Sequence, residues 1–352
     1  MRITNNMMIA DTVWNINKNA ARLSKAQQQM SSQQKIQLPS DDPVVATRAI
    51  KYRNYVDTVA QYQKNVEDAA SWQKVTESAL NDLGDIITRA RELTVEASSD
   101  VLTEEELQKI KAEVIQLQQE AVDVMNTSYA GRYVFAGFAT DEAPFELVST
   151  SAGDKVMFKG QYLSIGGPMA DSLSDADITA FCTANASDIY QDSGDQAIQY
   201  NIGYGAQVAV NLEGQDVTGQ ETDSNLFDTF AKLLLALDGE TSYKTAEVSG
   251  TPAAVTVTAN NFEIDDLLTD WDEDHERVLT EQADLGARMN YVNMTKNRLS
   301  NDHETYTTLM SNNEDVDTAE ASIALTTAEY VYEASLAVGA KTINKTLVDF
   351  LA

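Results

Sequence analysis

Near the start of the chain, apolar side chains return at alternating steps of four and three: Ile9, Val13, Ile16, Ala20 and Leu23, then Gln27 and Met30. That spacing keeps one stripe on one side of a helix and suits a partner helix laid along it. The stripe is thin, because Ala20 and Gln27 bury little, so this helix needs something docked on it to persist. A second run holds Val45, Ala49, Tyr52, Val56, Val59, Gln63, Val66 and Ala70, and continues through Trp72, Ala79, Leu83, Ile86, Ala90 and Leu93. A third takes in Leu107, Ile110, Val114, Leu117, Ala121 and Val124, with Thr103 and Glu106 spaced as a capping box in front of it. Towards the other end, Val278, Gln282, Leu285, Met289, Val292, Lys296, Leu299, His303, Tyr306 and Met310 keep the same steps. SNNEDVD, 311–317, interrupts them. A last helix then carries Leu325, Ala328, Tyr332, Leu336, Ala340, Ile343, Leu347 and Phe350 on one face.

Between these helices the period changes. Gly131 stands where the third helix can end, and from there to about 220 the chain reads as short strands and turns. NLFDTFAKLLLAL, 225–237, predicts a short amphipathic helix, and 249–261 a loop and one strand. The pattern therefore predicts a mainly α protein with a β-rich insert. The economical arrangement is an antiparallel coiled-coil rod of long helices, with the N- and C-terminal helices paired and an outer β domain at the tip. Three domains are expected: 1–41 with 312–352 as a terminal coiled coil, 42–138 with 262–311 as the long-helix part, and 139–261 as the outer part.

LPSDDP, 38–43, lies between the first two helical runs. Pro39 is expected to stop the first helix. Ser40 and Asp41 form a turn, Asp42 accepts from the free amides of a new first turn, and Pro43 opens the second helix where its missing N–H costs nothing. The carboxylates are read as helix punctuation, since no partner ligands lie near them in sequence.

Charge narrows the choice of partners. The 352 residues hold 25 Lys and Arg against 55 Asp and Glu, for a net charge of −30. A chain this acidic repels nucleic acid and anionic lipid, so neither is an expected partner. The two ends differ in sign: residues 1–40 set Arg2, Lys18, Arg22, Lys25 and Lys35 against Asp11, while 319–352 set four acids against Lys341 and Lys345. That difference favours pairing of the ends. No apolar run approaches a membrane span, and MRITNNMMIADTVW lacks the long apolar core of a secretory signal.

Candidate chemistry is sparse. Cys182 is the only cysteine, which excludes an internal disulfide and argues against a thiolate metal site. His275 and His303 are far apart. Gly203, Tyr204 and Gly205 begin a GxGxxG, but Val208 stands at the third glycine and no helix pattern follows. DWDEDHE, 270–276, lacks the spacing and the glycine of a calcium loop, and is read as a solvated helix face. No catalytic constellation, cofactor site or metal site is expected. The candidate site is instead an assembly interface on the apolar stripes: Ile9, Val13, Ile16, Leu23 and Met30 at one end, and Leu325, Tyr332, Leu336, Ile343, Leu347 and Phe350 at the other.

Several stretches resemble the flagellin family: MRITNNMM, LSKAQQQMSSQQKIQLPSDDPVVATRA and NVEDAASWQKVTESALNDLGDIITRARELTVEA, then NTSYAGRYVFAGFATDEAPF, LTEQADLGARMNYV and TTAEYVYEASLAVGAKTINKTLVDFL. The match covers nearly all of 1–145 and 264–352 and is weak between them. PSDDP and DFL look more like the family's hook-associated members than like filament flagellin, and 239–262 looks longer than is usual. The resemblance implies a structural subunit of the bacterial flagellum, exported unfolded through the flagellar type III apparatus. It implies a ring of identical copies joined through the terminal helices. The implied partners are the first hook-associated protein, flagellin and a flagellar export chaperone. The other readings are filament flagellin itself, a coiled-coil scaffold or adhesin outside the flagellum, and an enzyme carried in the insert.

Overall fold

A computed structural model describes residues 5–99, 102–191, 194, 196–220, 224–249 and 254–343. The chain divides into two compact units, Met1–Gln61 with Arg298–Ala352, and Tyr62–Asn297. Two long helices run through both units: α2 (Pro43–Ala97) and α7 (Leu267–Glu314), named here with α1 (Asn5–Ser32), α3 (Glu104–Met125) and α8 (Thr318–Ile343).

In the first unit, α1 and α8 lie against each other. The facing positions on α8 are Ala321, Leu325, Ala328, Tyr332, Ser335 and Gly339, at steps of four and three. Mostly small residues let the backbones come close. A Cβ on Gly339 would stand 2.8 Å from the Ile16 Cδ1 atom and 3.6 Å from the Thr12 Cγ2 atom. In the same unit, α2 and α7 meet through stacked Tyr55 and Tyr306 rings, 5.1 Å apart, and through Arg53 on Glu314.

In the second unit, α2 and α7 meet at Glu67–Lys296, Asn81–Gln282, Arg91–Asp272 and Thr94–Trp271. The numbers fall along one helix as they rise along the other, so the two are antiparallel. The buried positions on α7 here are Leu267, Trp271, Asp274, Val278, Leu285, Val292 and Thr295, followed by Leu299. The heptad pattern holds except at Lys296, which is exposed while Thr295 turns inward. α3 buries Ile110, Val114, Gln118, Ala121, Val122 and Met125. At its start Glu106 takes hydrogen bonds from the Thr103 N–H and hydroxyl, at 2.8 and 2.9 Å. Those donors hold the Glu106 carboxyl below its ordinary range.

The chain between α3 and α7 also belongs to the second unit. It holds β1 (Ser128–Tyr129), β2 (Arg132–Tyr133), β3 (Phe145–Thr150), β4 (Gly153–Phe158), β5 (Gln161–Tyr162) and β6 (Met169–Ala170). Then come α4 (Asp175–Ala184), β7 (Gln199–Gly203), β8 (Ala206–Ala209), α5 (Gly214–Thr218), α6 (Leu226–Leu237), β9 (Ser242–Ser249) and β10 (Ala254–Asn261). The strands form small antiparallel sheets: β1–β2, β3–β4–β5, β10–β9–β6 and β7–β8. A core of Ala152, Tyr162, Ile165, Met169, Ile178, Cys182 and Ala246 joins α4 to these strands. The Asn126 side chain pairs with both backbone polar groups of Phe145, at 2.8 and 2.9 Å, and so fixes β3 to the end of α3.

Several local readings are corrected. α3 ends at Met125, before Gly131. Gly131 serves instead as the second residue of the β1–β2 turn, where Ala130 and Gly131 both hold positive φ (52° and 79°), the geometry of a tight hairpin. The stretch read as strands contains α4, capped by Ser174, whose hydroxyl accepts from the Asp177 N–H. The predicted strand near 249–261 is β10, and β9 before it went unrecognised. Gly203 and Gly205 belong to the β7–β8 hairpin.

Candidate functional site

The predicted stripe on α1 is only partly covered. Ile9, Ile16 and Leu23 are half-buried, Val13 is exposed, and Met30 is more exposed than they are. Among the described side chains of this helix, Ala26 is the one buried position. On α8, Leu325 and Tyr332 are half-buried, but Leu336 is 44% exposed. The seam follows Tyr332, Ser335 and Gly339, and so turns away from the predicted Leu336 and Ala340. Ile343 is the last described helical residue. Its side chain, and all of Leu347 and Phe350, lie outside the described residues.

Sequence reasoning missed Ala321, Ser335 and Gly339 because Ala, Ser and Gly carry little hydrophobic signal. Their steps of four and three were nevertheless there to be read. Beyond the seam, large apolar side chains point to solvent: Met7, Trp14, Ile323, Tyr330, Val331 and Val338. Lys18 lies 4.8 Å from the Trp14 ring. A groove between the two helices is lined by Asn19, Arg22, Lys25 and Ala26 from α1, and by Ala324, Thr327, Ala328 and Val331 from α8.

The segment between α1 and α2 is a turn and a cap. α1 stops at Ser32, where Gln33 takes a positive φ of 57°, so Pro39 does not end it. Pro39 and Ser40 are the exposed central residues of a turn closed by the Asp41 N–H on the Leu38 carbonyl at 2.9 Å. Asp41 takes the Leu38 N–H in return. That bond, with a further one from the Gln37 backbone and the charge of Lys25, holds its carboxyl below the usual range. Asp42 accepts from Val44 and Val45 N–H at 2.9 and 3.1 Å, and Pro43 is the first residue of α2.

The acidic run 270–276 is not a solvated face throughout. Trp271 is fully buried, donates to the Thr94 hydroxyl at 2.9 Å and meets the Phe230 ring edge-on at 4.8 Å. Asp270 pairs with buried Lys232 at 2.8 Å, and Asp272 with Arg91 at 2.8 Å. Asp274 is buried, accepting from the Thr229 hydroxyl and from Arg277, both at 2.7 Å. Burial pushes the Asp274 carboxyl up to about 6, against the opposing pull of Thr229 and Arg277. Asp270, Asp272 and Asp274 are each engaged by a different partner, and among the described residues no group of three or more His, Cys, Asp or Glu could hold a metal ion.

The raised Asp274 value makes a pH prediction. Its folded value lies above the ordinary 3.8, so the folded state holds the proton more tightly than the unfolded chain. Stability from this group therefore rises as pH falls through about 6 and is complete near 4. Relative to Asp274→Asn, the native chain should gain about 1 kcal/mol between pH 7 and pH 5. Denaturant unfolding of both proteins at the two pH values measures it, and a loss instead of a gain would contradict the assignment.

A chain whose described ends form one helix pair, with long antiparallel helices and a small β-rich insert, has the build of a helical structural subunit. Residues 3–140 match the model for the bacterial flagellin N-terminal helical region, and 268–351 that for the C-terminal helical region. The chain belongs to the bacterial flagellin family, and so to the structural proteins of the bacterial flagellum.

Flagellar hook-associated protein 3 of Escherichia coli strain K12 is 26% identical over 291 residues, 82% of this chain and 80% of that protein. A flagellin of Clostridium tyrobutyricum is 32% identical over 128 residues, 36% of this chain and 34% of that one. A flagellar hook-associated protein of Vibrio parahaemolyticus shares the fold, with a TM-score of 0.57 at 15% identity, over 78% of this chain and all of that one. No described helix is long and apolar enough to cross a membrane.

Proposed function

We propose that this chain is a hook–filament junction subunit, with no enzymatic role. Identical copies form a ring through α1, α8 and the residues beyond, seated on the first hook-associated protein and carrying flagellin above. The chain reaches its extracellular site through the flagellar type III apparatus, escorted by an export chaperone. Residues 1–41 with 312–352 are the inner layer, 42–138 with 262–311 the next, and 139–261 the outer part.

The observation that carries this reading is the apolar surface left open on α1 and α8 after they have paired. Monomeric proteins rarely keep such a surface without a partner for it. The junction role is favoured over the filament because the alignment with the Escherichia coli hook-associated protein runs through most of the chain, and that with the flagellin through about a third.

Deleting the gene in its own host tests the role. The expected phenotype is complete hooks, no filaments, and flagellin monomers shed into the medium. Filaments of normal length on the deletion strain would overturn the junction reading, and the disappearance of flagellin itself would favour the filament one.

A further inference from the structure

Charge is shared unequally between the two units. Residues 62–297 hold 42 Asp and Glu against 14 Lys and Arg, so the second unit carries −28 of the chain's −30. The first unit is left close to neutral. Most of the bases in the second unit already lie on carboxylates of that unit. An excess of one sign this large makes two such units repel each other.

The same unit has a bare sheet edge. β10 is the outer strand of the β10–β9–β6 sheet, and Ala254–Asn261 contains neither a charge nor a proline. Edge strands are commonly blunted by such residues, as β3 is in its own sheet by the exposed Glu146. The backbone phase of β10 follows from its ladder. The Phe262 N–H donates to the Thr241 carbonyl at 3.1 Å, and from there the register is unbroken, Asn261 opposite Ser242 through to Ala254 opposite Ser249. Bonded and open pairs alternate in an antiparallel ladder. Thr256, Thr258 and Asn260 therefore turn their backbone polar groups to β9, while Val255, Val257 and Ala259 turn theirs outward. Ala246 agrees: it stands opposite Val257 and donates away from β10, to the Gly166 carbonyl at 2.8 Å. Among the described residues nothing pairs with the outward row.

That row is complementary to itself. On one face of the strand Val255 and Val257 pack against the core that holds Ile178 and Cys182, and on the other Thr256 and Thr258 are exposed. Two copies laid antiparallel about Val257 would exchange backbone bonds at Val257 with Val257 and at Val255 with Ala259. The same register sets Thr256 of one copy across from Thr258 of the other, a favourable cross-strand pair. Nothing in the strand forbids this union.

We propose that the charge of the second unit guards this edge, keeping β10 of one copy from pairing with β10 of another. Long-range repulsion then does what a lysine or a proline in the strand does elsewhere. The inference holds whether the chain serves the junction or the filament.

Salt removes the guard without touching the strand, because the Debye length falls from about 30 Å at about 0.01 M to about 3 Å at about 1 M. Sedimentation of the purified full chain should show monomer at the low salt and self-association at the high one, tighter by about tenfold or more. Val257→Pro should abolish that gain, since it removes an outward N–H and leaves the β9 ladder whole. Thr256→Glu with Thr258→Glu sets like charges across the pair and should do the same, which keeps the test decisive where the proline variant does not fold. Circular dichroism reports the folding of each variant. A native chain that stays monomeric at the high salt, equal association at both salts, or association that the folded variants retain in full would overturn the proposal.

Discussion

Leu336→Asp is expected to leave the monomer folded and exported, and to stop filament growth. Leu336 lies beside Ser335, which faces α1, but is itself 44% exposed. Within one chain the substitution therefore removes little packing, and exposed changes of this kind stay within about 0.5 kcal/mol. In the proposed ring the same side chain is covered by a neighbour. Burying a leucine is worth about 1.5–3 kcal/mol, and an unpaired carboxylate in its place costs at least as much. The loss recurs at every copy. Thr326→Asp is the control, on the exposed stripe that already carries Glu333 seven residues on. Export into the medium, monomer helicity and filament length are the three readouts. Wild-type filaments at matched export would remove this face from the interface.

Trp271→Ala should be the most damaging single change in the second unit. The ring is fully buried, packs edge-on against Phe230 of α6 and bonds to Thr94 of α2, so it joins three helices. Truncating a buried tryptophan costs about 3–5 kcal/mol through lost contact and the cavity left behind. Thr94 is not orphaned by the change, because its hydroxyl also donates to the Ala90 carbonyl at 2.9 Å. The cost should therefore be one of packing, and Trp271→Phe should recover more than half of it. Denaturant titration followed by circular dichroism decides the matter, and a shift below about 1 kcal/mol would mean that the site collapses around the gap.

The same residues show what was legible in the sequence. The long helices could be read because their apolar steps persist over many turns, and Val278, Leu285, Val292 and Leu299 are buried in that order. The α1–α8 seam was harder, because close approach is made by Ala321, Ser335 and Gly339 and not by bulk. Reading bulk alone drew the stripe towards Leu336, one position past the true contact.

Asp274 was missed for another reason. Its neighbours Asp272, Glu273 and Glu276 are exposed, and composition averages over all of them. Only the Thr229 hydroxyl and Arg277, brought in by the fold, make a buried carboxylate tolerable there. α4 was hidden because DADITAFCTA turns only Ile178 and Cys182 fully inward, too few positions to set a period. β9 was hidden because Lys244 and Glu247 interrupt its apolar alternation. Asp42 was readable because a cap is a local device, needing only the residues that follow it.

Cys182 sits fully buried in the core that joins α4 to the strands, and that burial pushes its thiol up from the ordinary value. A thiol that is both inaccessible and protonated is nearly inert towards electrophiles. The unfolded chain would present the same sulfur to solvent with ordinary reactivity. The molecule thus carries its own chemical clock: the rate at which an added thiol reagent stops reacting reports when the insert has closed, with no label introduced. Applied to chains refolding from the unfolded state, such a pulse would time the closure of the insert separately from the ordering of the terminal helices.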